Sequence, residues 1–467
     1  MKRTYEEFLN SKRQYSQSCG FEKPKNQMNK NLFQWQKDVV FWALRKGRAA
    51  LFEDCGLGKA IQSLEWSTSV VEHTEKPVLY VCPLSVAEQT KREADKFGFE
   101  NVKVVRDQKQ IIHGVNITNY EMLSHFDASA YGGVVLDESS ILKCFTGKIR
   151  TEIIEMFNQT PYKLSCTATP APNDFMELGN QSEFLGVMTR TEMLSTYFIH
   201  DGGETSKWRL KGHAQDKFWE WLATWACVLT NPADLGYDGS DYILPSLNTI
   251  QHTVKYAENM IGDNYSLFAG VAQTLNDRRA ARRNSLTDRC QLAADLIAEK
   301  PDEQWVIWCD LNSEADELQR IIPEAVEVRG TDEPDYKVTM LNNFALGKVR
   351  YLITKGTIAG MGLNWQNCHN EIFVGLSDSF ELMYQSIRRC WRFGQEHPVD
   401  VHIITSEAEG AVKDNVERKE KQAALMVKEM VAHTKEILEE EIRGTARISI
   451  PYNPQIEMEI PEWLVSA

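Results

Sequence analysis

The chain has 467 residues, room for about two or three domains at roughly 150 residues each. Hydrophobic residues make up 42 % and charged residues 25 %, ordinary globular usage, which excludes disorder along the whole length. A net charge of −14 excludes a surface coated in basic groups, though not a local basic groove.

Met1 to Phe21 carries charges throughout and has no apolar run, so no signal peptide is expected. No stretch approaches the roughly 18 apolar residues of a membrane span. The ten cysteines, from Cys19 to Cys390, form no C-x-x-C pair and predict reduced, mostly buried thiols in a cytoplasmic protein without a zinc site.

Short apolar runs alternate with helical patterns, which predicts parallel α/β sheets covered on both faces. The predicted strands of the first half are Ala49–Phe52, Val78–Cys82, Val102–Val105, Val115–Ile117, Val134–Leu136 and Tyr162–Ser165. Those of the second half are Trp305–Cys309, Val326–Val328, Tyr351–Thr354, Glu371–Val374 and Val401–Ile404. This predicts an N-terminal extension (1–29), a first lobe (30–188), a mainly helical insertion (189–289), a second lobe (290–408) and a C-terminal helix with a tail (409–467).

The first predicted strand runs into Glu53-Asp54-Cys55-Gly56-Leu57-Gly58-Lys59-Ala60 and then a helical segment. Glycines let backbone N–H groups turn inward, the helix N-terminus favours an anion, and a lysine reaches outer phosphates. The strict pattern G-x-x-x-x-G-K-[ST] fails at Glu53 and at Ala60, where a hydroxyl normally meets Mg²⁺. Further on, Asp137-Glu138 at the end of an apolar strand suit Mg²⁺ coordination and water activation. Small hydroxyl residues follow in Thr167-Ala168-Thr169-Pro170. Near the C-terminal end, Arg389 and Arg392 stand three apart on one helix face, where guanidinium groups can bridge phosphate oxygens. Such an arginine finger is worth about 10³–10⁵ in rate in GTPases.

Taken in order, Trp35-Gln36, Gly56-Leu57-Gly58-Lys59, Asp137-Glu138-Ser139-Ser140, Thr167-Ala168-Thr169-Pro170, Gly360-Met361-Gly362-Leu363-Asn364 and Gln385…Arg389…Arg392…Gln395 resemble superfamily 2 helicases. The resemblance is to their Swi/Snf-like ATPases, in the compact form of bacteriophages and prophages, and covers roughly residues 30–405. It implies two RecA-like lobes closing on ATP and Mg²⁺, with nucleic acid, expected to be duplex DNA, crossing both. It also implies roles. Gln36 would read the adenine, while Gly56, Gly58, Lys59 and Ala60 would cradle the phosphates. Asp137 would hold Mg²⁺, and Glu138 would position the attacking water. Thr167 and Thr169 would relay the nucleotide state, and Gly362 and Asn364 would face the cleft. Arg389 and Arg392 would be the fingers, and Tyr120 would meet nucleic acid. Arg388 lies outside the motif and is read as packing or binding solvent. Ala60 departs from the family's Thr or Ser, so weakened Mg·ATP binding or turnover is expected.

The expected activity is an ATP-dependent translocase on duplex DNA. The alternatives are a strand-separating DNA or RNA helicase and a hydrolysis-impaired scaffold. Trp208, Trp219, Trp221 and Trp225 are read as packing a subdomain in preference to stacking on bases. The arginines from Arg278 to Arg289 form a basic helical face, open to phosphate or to solvent. The charged segment 412–443 is expected as an exposed brace on the second lobe.

Overall fold

The computed structural model describes residues 18–144, 147–201, 204–254, 283, 285–359, 363–375, 379–406 and 410–443. The first strands in chain order are β1 (Arg48–Glu53), β2 (Val78–Cys82), β3 (Val102–Val104), β4 (Val115–Asn119), β5 (Gly133–Asp137) and β6 (Tyr162–Cys166). A hairpin, β7 (Phe198–Asp201) with β8 (Glu204–Leu210), precedes β9 (Ala226–Leu229). Then come β10 (Leu247–Val254), β11 (Trp305–Cys309), β12 (Val326–Glu327), β13 (Tyr351–Lys355), β14 (Asn370–Phe373) and β15 (Val399–Ser406). The helices that bear on the site are α1 (Gln34–Lys46), α2 (Lys59–Thr74), α3 (Gln215–Ala223), α4 (Leu286–Glu299), α5 (Phe380–Ile387) and α6 (Gly410–Arg443).

The strands form two sheets, ordered β3-β4-β2-β5-β6-β1-β9 and β10-β15-β14-β11-β13-β12, parallel throughout. Helices cover both, and the inner strands β2, β5, β11 and β14 are buried at every residue, as the apolar runs of β2 and β11 require. The result is two RecA-like lobes. In the first sheet β5, β6 and β1 are neighbours, so their C-terminal ends bring the acids, the threonines and the phosphate-type loop together.

The segment expected as a helical insertion also carries the hairpin and gives each sheet an edge strand, β9 beside β1 and β10 beside β15. The sequence conceals both. β9 is four apolar residues directly after the tryptophan-rich α3, and β10 is an edge strand largely exposed along its length, without a continuous apolar run. Trp219, Trp221 and Trp225 are buried in the first lobe, in agreement with packing, and Trp208 lies against the same cluster.

Helix α6 corrects a second expectation. It follows β15 of the second sheet, but its apolar face packs on the first lobe. Met426 and Met430 join the cluster of Phe218 and Trp219, while Leu438 and Ile442 join that of Val39 and Trp42. His433 stacks on Trp219 at 5.4 Å, and the Trp42 indole donates to Glu441 at 2.9 Å. Each such apolar burial contributes about 1.5–3 kcal/mol, which a solvated brace would forgo.

Arg289, read as part of a basic face, is also placed otherwise. It is fully buried in α4 and pairs with Glu314 at 2.9 Å, since a guanidinium in the core needs an anionic partner. Arg278, Arg279, Arg282, Gly362 and the tail 446–467 lie outside the described residues. All ten cysteines are free thiols, and no helix among the described residues is long and apolar enough to cross a membrane.

Candidate nucleotide site between the lobes

The loop from β1 to α2 turns at Gly56 and Gly58, with φ of +92° and +83°, a region open to glycine at little cost. Space is also short there. A Cβ at Gly58 would stand 2.4 Å from Gln36 Nε2, and one at Gly56 would stand 3.0 Å from the Phe393 backbone nitrogen of the second lobe. Lys59 Nζ donates to the carbonyls of Glu53 (2.7 Å) and Asp54 (3.0 Å), which holds its ammonium over the loop. Gln36 is buried beside it. Its Nε2 donates to Leu57 O at 2.9 Å, and its Oε1 accepts from Phe33 N at 3.0 Å. Ala60, second residue of α2, has no side-chain oxygen, and the nearby hydroxyl of Ser63 is spent on Ala60 O and Tyr80.

At the end of β5, Asp137 accepts from the Tyr80 hydroxyl at 3.1 Å and from Glu138 N at 3.1 Å. Burial, then the Glu138 charge, push its carboxyl up to about 7 against the pull of Lys59. Glu138 sits at φ +54°, a conformation uncommon outside glycine and concentrated at functional sites. Burial raises its carboxyl as well, opposed by Lys59 and Arg389. Thr167 Oγ1 accepts from Thr169 N, and Thr169 Oγ1 donates to Glu381 of the second lobe at 3.2 Å.

The ring of Tyr120 is buried and its hydroxyl donates to Asp137 O at 2.7 Å, so it supports the acidic strand end.

Across the cleft, α5 faces these groups. Glu381, Tyr384, Gln385 and Arg388 recur at helical spacing and share one face. Glu381 pairs with Lys143 and accepts from Thr169, and Gln385 Nε2 comes to 3.5 Å of Glu138 Oε2. Arg389, following α5, donates to Gln385 O (2.8 Å) and Leu363 O (3.2 Å), and Arg392 donates to the same Leu363 O at 3.1 Å. Asn364 stands beside that carbonyl in sequence, and its buried Oδ1 has no partner among the described residues.

Arg388 neither packs idly nor meets water. It is 3 % exposed, pairs with Asp54 Oδ2 at 2.7 Å, and donates to Cys55 O at 2.8 Å. Sequence reading missed Asp54, Glu381, Tyr384 and Arg388. The available signal was a polar i, i+3, i+4, i+7 stripe on an otherwise apolar short helix.

Arg392 is buried, and burial together with Arg389 pulls its guanidinium down to about 10. Its Nε has no partner among the described residues. Clustered cations facing Lys59 and two carboxylates suit a triphosphate with a divalent cation: the carboxylates take the cation and the guanidiniums take phosphate oxygens. The donor set therefore fits Mg²⁺ at Asp137, with Ala60 contributing no ligand. Among the described residues no group of three or more His, Cys, Asp or Glu could hold a metal unaided, so phosphate oxygens would complete the set.

A neighbouring acid makes a separate expectation. Burial pushes Glu371 on β14 up to about 8, although the Trp308 indole donates to it at 2.8 Å. Its folded value lies above the ordinary ~4.3 of the unfolded chain, so the stability it contributes is complete below ~4.3 and is lost as pH rises through about 8. Unfolding titrations of Glu371→Gln should show a shallower loss of stability than wild type across that window.

Two family models match the chain: the SNF2-related domain over residues 35–197 and the helicase conserved C-terminal domain over 288–394. Among curated proteins, the "SWI/SNF-related matrix-associated actin-dependent regulator of chromatin subfamily A-like protein 1" of Xenopus tropicalis is 33 % identical over 129 residues, 25 % of this chain. Its Xenopus laevis counterpart is 35 % identical over 124 residues, 24 % of this chain. The chain spans 13 % of the length of each. Among solved structures, the Sulfolobus solfataricus SWI2/SNF2 ATPase core in complex with dsDNA is similar at 18 % identity and a TM-score of 0.41, covering 91 % of this chain and 98 % of that one. With an SNF2-related domain on its first lobe, a helicase C-terminal domain on its second, and the ordered motifs between, the chain belongs to the Swi/Snf-like ATPases of superfamily 2.

Proposed function

We propose that the protein is a nucleic-acid-dependent ATPase that converts ATP hydrolysis into movement along duplex DNA. The observation that carries this reading is the approach of Gln385 to Glu138 at 3.5 Å, which sets the arginine-bearing turn of one lobe against the acid pair of the other. Lys59 and the loop N–H groups bind the β- and γ-phosphates, and Gln36 reads the base. Asp137 would hold Mg²⁺, which when bound would neutralise phosphate charge. Glu138 orients the attacking water and takes its proton, while Arg389 and Arg392 turn from Leu363 O toward the γ-phosphate. Thr167 and Thr169 transmit the state of the site to the lobe contact, and Gly362 and Asn364 serve the nucleotide from the second lobe.

Duplex DNA is favoured because the partial relatives are named as regulators of chromatin. The compact bacteriophage type rests on the motif set, and a cytoplasmic setting is supported by the free thiols. The scaffold alternative is favoured by Ala60 alone.

The test compares ATP turnover with duplex DNA, single strands and RNA, alongside strand separation. Stimulation greatest with duplex and no strand separation is expected. Unwinding, or stimulation by RNA alone, would give the helicase reading. Ala60→Thr should raise turnover or lower the Mg²⁺ needed, because it restores a hydroxyl ligand. No gain in either would show that the site has adapted to its loss.

A further inference from the structure

Asp54 stands inside the phosphate-type loop, yet its carboxylate faces the other lobe. Oδ1 accepts from Cys55 N (2.7 Å) and from the Tyr384 hydroxyl (2.7 Å), and Oδ2 accepts from Arg388 Nη2 (2.7 Å). The same Nη2 donates to Cys55 O at 2.8 Å, so one guanidinium grips both side chain and backbone of the loop. Arg388 is held from behind by aromatic faces, 4.9 Å from the Trp391 ring and 5.9 Å from that of Tyr384. One residue past Arg392, the Phe393 backbone approaches Gly56 so closely that a Cβ there would press on it. The residues flanking Arg389 and Arg392 are thus fixed on the loop, while among the described residues the two arginines hydrogen-bond within their own lobe.

We infer that Arg388 is a positioning residue: by pairing with Asp54, supported by Tyr384, it docks the turn bearing Arg389 and Arg392 onto the phosphate-type loop. This inference rests on the ATPase reading and adds a contact outside the motif set. The docking pair is largely desolvated, so it is directional and survives salt better than an exposed bridge. It leaves the Lys59 ammonium on the loop carbonyls of Glu53 and Asp54, so it sets where the fingers stand and does not itself hold nucleotide. A misplacement of about 1 Å at a reacting centre costs about 100-fold.

The experiment uses the full chain with Arg388→Gln, Asp54→Asn and the double variant. It reads single-turnover phosphate release, equilibrium binding of a fluorescent ADP, and the radius of gyration of the nucleotide-free protein in solution. Each single variant should slow turnover by about 100-fold and bind ADP within a few-fold of wild type, because lobe-one contacts are kept. The double should be no slower than the worse single, since one interaction has been lost once. Nucleotide-free variants should also expand relative to wild type while melting cooperatively. Arg388→Lys, which keeps the charge but loses one bond, should recover part of the rate. Wild-type turnover in Arg388→Gln, or losses that multiply in the double, would overturn the inference. A wild type that binds no nucleotide would sink the ATPase reading. The docking contact would then stand or fall on the scattering, where unchanged compactness in both single variants refutes it.

Discussion

Glu138→Gln is expected to stop ATP turnover while leaving ATP bound, slowing phosphate release by about 10²–10⁴-fold. Glutamine has nearly the shape of glutamate but cannot accept a proton from water. The side chain is held by a strained αL backbone, so the amide should occupy the same place. Lys59 and Asp137, the groups assigned to phosphate and cation, are untouched by the change. Single-turnover kinetics with labelled ATP, beside equilibrium binding, separate the two effects. Weakened binding with turnover retained would place the water-activating group elsewhere.

The second large effect comes from the opposite lobe. Arg389→Ala combined with Arg392→Ala should lower turnover by about 10³–10⁵-fold. Both guanidiniums stand in the cleft, and burial, then the Arg389 charge, pull that of Arg392 down to about 10. A phosphate gains most from them when its charge is greatest, in the transition state, so the arginines act chiefly on rate. Nucleotide affinity should fall far less than turnover. Equal losses in both would make them binding groups only.

The sequence carried most of this arrangement, for identifiable reasons. Inner strands such as Val78–Cys82 and Trp305–Cys309 are legible because burial on both faces leaves only apolar side chains. Edge strands are not, and Leu247–Val254, with its polar outer positions, gives no strand signal within the segment expected as a helical insertion. The first-lobe residues that gather at strand ends, Lys59, Asp137, Glu138, Thr167 and Thr169, were visible because their chemistry recurs at fixed places along the chain. Contacts between the lobes were not. Nothing local to Arg388 announces that Asp54, 334 positions away, will neutralise it. Likewise, the apolar positions of α6 specify a helix face but not which lobe it covers. The role given to Tyr120 comes from the resemblance alone, and nothing local to it announces that its hydroxyl donates to Asp137 O.

The most direct measurement is steady-state phosphate release by the purified chain with Mg·ATP, with and without duplex DNA, beside the Glu138→Gln control. Release that climbs on adding duplex and vanishes in the control is expected. No release under either condition, in wild type and in Ala60→Thr alike, would contradict the claim that the two lobes work together on a bound triphosphate.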